Sequence, residues 1–432
     1  MSAKPRSILR TYLALTALST LASSFIWGIN TLFLLDAGLS VTQAFAANAC
    51  FTAGQVLFEV PTGVVADTWG RRASYLLGSA TLFFATLLYL LMWRVHGPFW
   101  AWAVSSALLG LGFTFFSGAT EAWLVDGLGA TGYQGTLEAA FAKGQIATGA
   151  GMLGGTLAGG ALAQVTNLGV PYVVRAVTLG LTFAVALAWM RDVGFTPRRR
   201  ASVASEVRSM LAAPLEHGLR NPPVRWTLLA LVFSWGVPIY GFYAIQPYLM
   251  ELRGRNEYAL AGVSAAIAAA GQIAGGAVVR FVPRVFRRRT SALLCCSVAS
   301  VVALLVIGWS GRILPVLGAL AAWAVVFSVA TPIRQAFVNE LIPAAQRATI
   351  LSSGNLLGSL GGVGIQPALG RVAEGFGYAT SYLAAAGLEL LAVPFLALAR
   401  RERARSDDTG EGAGREGGAA RRTGPDDERG TR

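Results

Sequence analysis

The sequence predicts an all-α membrane protein with twelve transmembrane helices in two pseudo-symmetric six-helix bundles. Three observations predict it. The chain of 432 residues is 54% hydrophobic but only 13% charged, where soluble domains carry about 25% charged residues. Its apolar residues gather into windows of the length a bilayer crossing needs, about 20 residues. Short stretches of the first half also reappear, in order, in the second.

Twelve windows qualify, near 11–35, 41–64, 73–93, 98–125, 143–165, 171–190, 226–249, 258–279, 290–309, 313–339, 348–370 and 379–399. The basic N-terminus, Met1 to Arg10, leads into the first window much as a signal peptide would. That window has no small-residue cleavage site and is longer than a signal core of about 7–15 residues. It is expected to remain as the first helix. The longest polar interruption, 191–225, divides the windows six and six. It is rich in arginine, with only Asp192, Glu206 and Glu216 against it. It predicts a basic cytoplasmic linker with a short amphipathic helix on the membrane surface. The expected units are therefore residues 1–190 and 226–400, one bundle each, joined by 191–225. Residues 401–432 are Gly, Asp, Glu and Arg with no apolar run, and are expected to be disordered.

The net charge of +13 does not call for nucleic acid, because excess arginine marks the cytoplasmic loops of membrane proteins. Lys4 and Lys143 are the only lysines, which reads as a composition bias. With the N-terminus inside, the inner side collects Lys4, Arg6, Arg10, Arg71, Arg72, Lys143, the linker arginines, Arg280, Arg284, Arg287, Arg288, Arg289 and Arg347. The outer side keeps Arg94, Arg175, Arg253, Arg255, Arg312 and Arg371. Both termini are expected in the cytoplasm of a multi-pass cell-membrane protein.

Between the second and third windows, Glu59 to Arg72 reads EVPTGVVADTWGRR, the densest charge of the first half. It is expected to be a tight turn between two helices. Gly63 and Gly70 let backbones turn or approach where a side chain would clash. Asp67, Arg71 and Arg72 sit at the polar boundary of the bilayer. The order Gly63-x-x-x-Asp67-x-x-Gly70-Arg71-Arg72 resembles the loop signature of the major facilitator superfamily of secondary transporters. The resemblance covers about residues 8–400. It implies two parallel six-helix repeats around a central cavity. It also implies that Asp126, at the cytoplasmic end of the fourth helix, pairs with the first loop arginine. Asp67 is expected to face the N-terminus of the eleventh helix, where the dipole favours a carboxylate. Gly63, Asp67, Gly70, Arg71, Arg72 and Asp126 are thus the expected gating residues. They would lock the cytoplasmic side and part when the protein opens inward.

The repeat is visible in residues. Gly54-Gln55 precedes Arg71-Arg72 by the interval that separates Gly271-Gln272 from Arg288-Arg289. Arg72-Ala73-Ser74 matches Arg289-Thr290-Ser291, and EAWLVD at Glu121 to Asp126 aligns with QAFVNE at Gln335 to Glu340. Arg284 stands where Asp67 does, so the halves have diverged.

Ionisable residues inside spans are costly and mark function. Glu59 lies about 12 Å up its helix from Asp67, and Glu121 about 7–8 Å deeper than Asp126, at 1.5 Å per residue. Pro61 removes a helix hydrogen bond beside Glu59. Each acid reads either as a buried carboxyl that loads and unloads a proton or as half of a fixed ion pair. Glu121, then Glu59, are the expected proton-coupling residues, since the resemblance puts the fourth helix on the cavity. Arg334, beside Thr331, Pro332 and Gln335, is expected to face the cavity and pair with Glu340, although arginine can also snorkel to an interface. Asp36 reads as a solvated loop acid.

Trp27, Trp123, Tyr240 and Tyr243, with Arg334, are the candidates to line a substrate cavity; such aromatics also commonly face lipid or core. The fifth window carries Gly149, Gly151, Gly154, Gly155, Gly159 and Gly160, and the eleventh a similar series from Gly354 to Gly364. Small residues at these spacings let helices pack closely. Antiporters of the superfamily place a proline before the final glycine pair of the fifth helix, where this chain has Leu157-Ala158. Glu59-x-Pro61-Thr62-Gly63, Asn339 to Pro343 and Arg347-Ala348-Thr349 resemble bacterial drug-efflux-like members.

No phosphate-binding G-x-x-x-x-G-K-[ST] loop occurs, so ATP is not the expected energy source. Cys50, Cys295 and Cys296 lie in apolar runs and read as small hydrophobes. His96 and His217 are isolated. No metal, cofactor or enzyme active site is expected. The sequence reads as a secondary active transporter, with proton-coupled efflux of small amphipathic, drug-like compounds by alternating access. The alternatives are a proton-coupled uptake symporter for a small metabolite and a non-transporting receptor or scaffold on the same fold. The expected partners are a small-molecule substrate, protons and the lipid bilayer, without nucleic acid, and the expected state is a monomer.

Overall fold

The computed structural model describes residues 4–197, 220–254, 257–342 and 347–408. Among these the regular elements are helices, with one isolated bridge between Arg288 and Asp408. The helix expected in the linker, His217 and residues 409–432 of the tail lie outside the described residues. Residues 401–408, expected to be disordered, instead pack on the helix Arg289–Trp309, where the Asp407 carboxylate accepts from the Thr290 N–H at 2.7 Å and from the Thr290 hydroxyl at 2.8 Å. Among the described residues ten helices are long and apolar enough to cross a membrane, or eleven when the bent pair at the N-terminus is one span.

α1 (Pro5–Trp27) opens with proline at its first position, where the missing N–H is harmless. α2 (Asn30–Asp36) meets it at 48°. α3 (Val41–Thr68) is started by a capping box in which Ser40 and Gln43 bond each other's backbone. α4 (Arg71–Val95) follows after two residues, so most of the stretch expected as a turn is helix, and only Trp69 and Gly70 reverse the chain. The fourth window is broken into α5 (Phe99–Thr114) and α6 (Ala119–Ala130), separated at Gly118, whose φ is 67°. α7 (Leu137–Val165) and α8 (Val170–Trp189) complete the first half.

The second half holds α9 (Pro222–Arg253), α10 (Tyr258–Val278), the short α11 (Val282–Val285), α12 (Arg289–Trp309), α13 (Ile313–Leu341), α14 (Arg347–Leu390) and α15 (Ala392–Arg401). The backbone of α14 leaves helical geometry at Gly377, where φ is 82°. Many helical hydroxyls are satisfied within their own turns: Thr62, Thr182 and Thr331 each donate to the carbonyl four residues back. Lipid would leave such groups without partners.

Each half packs its own aromatic core. Phe33, Tyr89, Trp102 and Tyr172 stack in the first, with Phe33 and Tyr172 centred 3.9 Å apart. Tyr240, Tyr248 and Tyr382 pack in the second, with their rings tilted against one another. The glycine series pack as expected: Gly151, Gly155 and Gly159 of α7 lie against α1, and Gly358 and Gly361 of α14 against α9. The halves meet along α3 with α14 and α7 with α10.

Candidate functional site

Among the described residues, every hydrogen bond between the halves lies toward one end of the molecule. The bend at Gly28 and Ile29 leaves carbonyls of α1 and N–H groups of α2 without helix partners. Gln246 of α9, buried at 1% exposure, supplies both kinds of partner. Its Oε1 accepts from the Thr31 N–H at 3.0 Å, and its Nε2 donates to the Trp27 carbonyl at 2.7 Å. Beside it α1, α7 and α10 meet through bare backbone. A Cβ on Gly160 would lie 2.8 Å from the Gly262 Cα, and one on Gly28 2.9 Å from the same atom. Glu374 of α14 accepts from Ser40 Oγ at 3.0 Å and from the Thr42 N–H at 2.8 Å. It sits at the N-terminus of α3, where the dipole favours a carboxylate. Gln366 Nε2 donates to Thr52 Oγ1 at 3.2 Å, and Gln164 Oε1 accepts from the Ala259 N–H at 3.3 Å. Sequence reasoning missed this seal because uncharged amides carry no signal until a broken helix stands opposite them.

The loop cluster forms at the opposite end. Gly70 has φ 106°, a conformation that favours glycine, and a Cβ there would collide with the Asp192 carboxylate. Asp192 Oδ1 accepts the Arg72 N–H at 2.9 Å, and Arg72 Nη2 donates to the Leu187 carbonyl at 2.8 Å. Arg71 pairs with Asp67 at 2.6 Å, approaches Asp126 at 4.0 Å, and lies 5.9 Å from the Phe195 ring centre. Burial pushes the Asp192 carboxyl above its ordinary range and Asp126 adds to the rise, against the Arg72 N–H and the two guanidiniums. The structure thus brings together Asp67, Gly70, Arg71, Arg72 and Asp126, and adds Asp192. Gly63 stands apart, inside α3, with nothing within 4 Å of where its Cβ would be. These cluster residues all belong to the first half. The contact expected between Asp67 and the start of the eleventh window lies outside the described residues.

The two coupling candidates lack the burial expected of them. Glu121 is exposed, in the first turn of α6 just past the break at Gly118. Glu59 is half-buried and accepts from Ser117 Oγ at 2.7 Å. Glu121 and Asp126 share the continuous α6, so the spacing between them stands, but rise along a helix does not say which face a side chain occupies.

Of the aromatic candidates, Trp123 and Tyr240 are core residues. Trp123 is 3% exposed and donates its indole N–H to the Arg191 carbonyl at 2.8 Å. Tyr240 is fully buried against Phe45 and donates to Ser381 Oγ at 2.5 Å. Trp27 is half-buried at the α1–α2 bend, and Tyr243 is half-buried on α9. Cys295 is exposed rather than buried, and no group of His, Cys, Asp or Glu among the described residues is arranged to hold a metal.

Arg334 lines two cavities. One, of about 30 Å³, is shared with Ser234, Cys296, Ser297, Ser300 and Glu389. The other, of about 110 Å³, is shared with Trp235, Thr331, Gln335 and Asn355. Its Nη1 donates to Ser234 Oγ at 3.2 Å. The expected partner, Glu340, pairs instead with Arg289 at 2.7 Å. Residues 334 and 340 are not i,i+3 or i,i+4 neighbours and so present different faces of α13. The carboxylate whose charge acts on Arg334 is Glu389, which is 2% exposed with Oε2 lacking a hydrogen-bond partner. An acid inside the last apolar window was the signal that would have found it. Arg175, expected in an outer loop, is 1% exposed inside α8. Its Nε donates to Thr86 Oγ1 at 3.1 Å, its guanidinium lies 5.9 Å from the Phe113 ring centre, and Nη2 has no partner.

Among the described residues the chain is a set of long apolar helices, some bent or broken, that carry buried charge, as a multi-pass membrane protein does. The Major Facilitator Superfamily model matches residues 12–366, and the chain belongs to that superfamily. It is a transporter and not an enzyme. Among solved structures it is similar to the nucleoside transporter NupG, at 14% identity over 90% of this chain and 99% of that one, with a TM-score of 0.72. It is also similar to a bacterial homolog of the human lysosomal transporter Spinster, inward-facing and unoccupied, at 16% identity, 95% and 100% coverage and a TM-score of 0.70. A D-xylose-proton symporter matches at 14% identity, 91% and 96% coverage and a TM-score of 0.66. Likeness at these identities is one of fold. No curated protein matches the chain.

Proposed function

We propose that this chain is a proton-coupled secondary carrier of small amphipathic compounds, working by alternating access in a cell membrane. The observation that supports this best is the asymmetry of its seam. The described hydrogen bonds between the halves lie toward one end, while toward the other Glu121 is exposed and Glu59 half-buried. The arginine distribution supports reading the sealed end as the outer one, with both termini in the cytoplasm and the form as inward-facing. α14 is read as two spans divided at Gly377, giving twelve helices in units 1–190 and 226–400 joined by the linker 191–225. The carrier acts as a monomer. Asp67, Gly70, Arg71, Arg72 and Asp126 serve as the inner gate, with Gly63 at its approach. Trp27 and Tyr243 edge the substrate path.

Glu121, open to water in this form, takes the coupling proton and is buried when the inner side closes, with Glu59 as the second acid. Export of drug-like compounds is the first reading, carried by the resemblance at Glu59 to Gly63. Uptake with protons is the second, favoured by Arg334 facing Glu389 across a small cavity. The test is transport in proteoliposomes under an imposed pH gradient, with a panel of drug-like compounds and metabolites. Accumulation or extrusion that a protonophore abolishes supports the reading; no gradient-driven movement of any compound in either direction defeats it. Glu121→Gln should lower gradient-driven accumulation at least about tenfold, a 1.4 kcal/mol effect, while downhill exchange persists. Unchanged uphill transport by that variant would place the coupling proton elsewhere.

A further inference from the structure

We infer that Arg334 binds the anionic group of the transported compound, and that Glu389 is its built-in, protonatable counter-ion, so that the second half takes organic anions together with a proton. This rests on the reading of the chain as a carrier, and it names the substrate class.

A guanidinium offers five N–H donors and is always charged. Around Arg334 the protein supplies one hydrogen-bond acceptor, Ser234 Oγ, and no carboxylate forms an ion pair with it among the described residues. Its counter-charge is Glu389, across a cavity of about 30 Å³. That space holds about two or three waters, each needing some 10–15 Å³. Glu389 Oε2 and Ser297 Oγ both face burial without a hydrogen-bond partner. A carboxylate so placed is costly unless paired or protonated. The groups facing it from the neighbouring helices are Arg334 on α13 and the Cys296 thiol on α12, with Thr227 and Ser234 of α9 and Leu396 of α15. Arg334 is therefore the one fixed charge at the site.

On its other side Arg334 reaches the cavity of about 110 Å³, which Leu228, Leu231 and Trp235 wall with apolar surface and Thr331, Gln335 and Asn355 line with polar groups. A carboxylate or phosphate on a small apolar body fits that lining. With Glu389 ionised, Arg334 is neutralised from within and an incoming anion meets no net positive charge. Once Glu389 takes a proton from water on Oε2, Arg334 is left as an uncompensated cation that the anion restores to neutrality. Proton and anion thus favour each other's binding, and the linkage is reciprocal. Anion affinity rises as pH falls, because binding takes up a proton.

The test is isothermal calorimetry on the full-length protein in nanodiscs with three probes of one size: phenylacetate, phenylacetamide and phenethylammonium. Phenylacetate should bind about tenfold or more tighter than the amide and the amine, and tighter at about pH 5.5 than at about pH 7.5. Repeating the titration in buffers of different ionisation enthalpy should show net proton uptake. Glu389→Gln should bind phenylacetate equally at both pH values without proton uptake. Arg334→Gln should lose the preference for the anion, and Arg334→Lys, which keeps the charge, should retain it with weaker binding. Gel filtration of each variant as a single species shows that it is folded. Equal or absent binding of the three probes, or an unchanged pH dependence in Glu389→Gln, overturns the proposal. Gradient-driven transport of a neutral or cationic compound alongside that failure would keep the carrier reading and remove only the anion site.

Discussion

The two ends of the molecule are held by different chemistry. At the sealed end the halves are joined by uncharged groups: one buried glutamine spanning a helix break, and three helices touching through glycine backbone. Glu374 adds a charge, but it sits at the rim. At the opposite end the described charged contacts stay within each half, tying the α3–α4 turn to α6 and to the start of the linker in the first and Arg289 to Glu340 in the second. An amide pair can part and be rehydrated at small net cost, about 0.5–1.5 kcal/mol per bond. A buried ion pair that loses one partner costs several times that. The seam that must open carries the former.

The contrast is sharpest at Gly262. Replacing it with leucine sets a side chain into the backbones of α1 and α7, where the added Cβ alone would be 2.6 Å from the Thr156 carbonyl. Overpacking of this kind costs about 1–3 kcal/mol or more, enough to populate a form in which the seal is broken. Spin labels at Val165 and Arg253, both exposed near the sealed end, should report a longer and broader distance. An unchanged distance would mean that the glycine contact does not hold the halves together.

Gln246→Leu removes both bonds to the α1–α2 bend while filling similar volume. It should favour the unsealed form by about 1–3 kcal/mol, the range for two neutral hydrogen bonds. The same pair of labels reads the shift. Gln246→Glu keeps an acceptor for the Thr31 N–H and should fall between the parent and the leucine variant.

Arg71→Ala should leave the Val165 to Arg253 distance where it is, because the contacts described for Arg71 lie within its own half. Transport in proteoliposomes should fall while the protein remains in the membrane. A longer distance at the sealed end would show that the charged cluster and the seal are coupled, and the separation drawn between the two ends would fail.

Much of this architecture was legible in the chain. The loop arginines, Asp67 and Asp126 were readable because charge is rare in an apolar sequence and its positions stand out. Gly70 was readable with them, and the structure supplies its reason in a positive φ and the Asp192 carboxylate against it. The α7 glycines were readable from spacing alone, since a regular helix turns spacing into a face. Trp123 and Tyr240 were not placed correctly, because an aromatic in a span looks the same whether it meets core, lipid or cavity. Glu121 was expected where water is scarce and is exposed in the first turn of α6, because rise along a helix gives depth but not the face on which a side chain lies.

By itself the sequence determined the membrane class and the presence of many long apolar helices, which follow from local composition and from the length of a bilayer crossing. Only the tertiary structure decided which partner each rare polar group meets. Arg334 faces Glu389 rather than Glu340, Arg175 is buried rather than in a loop, and Gln246 closes a bend in a helix of the other half. Those pairings join residues far apart in the chain. They depend on how helices are rotated and broken, and hydropathy, which sums over a window, carries no information about rotation.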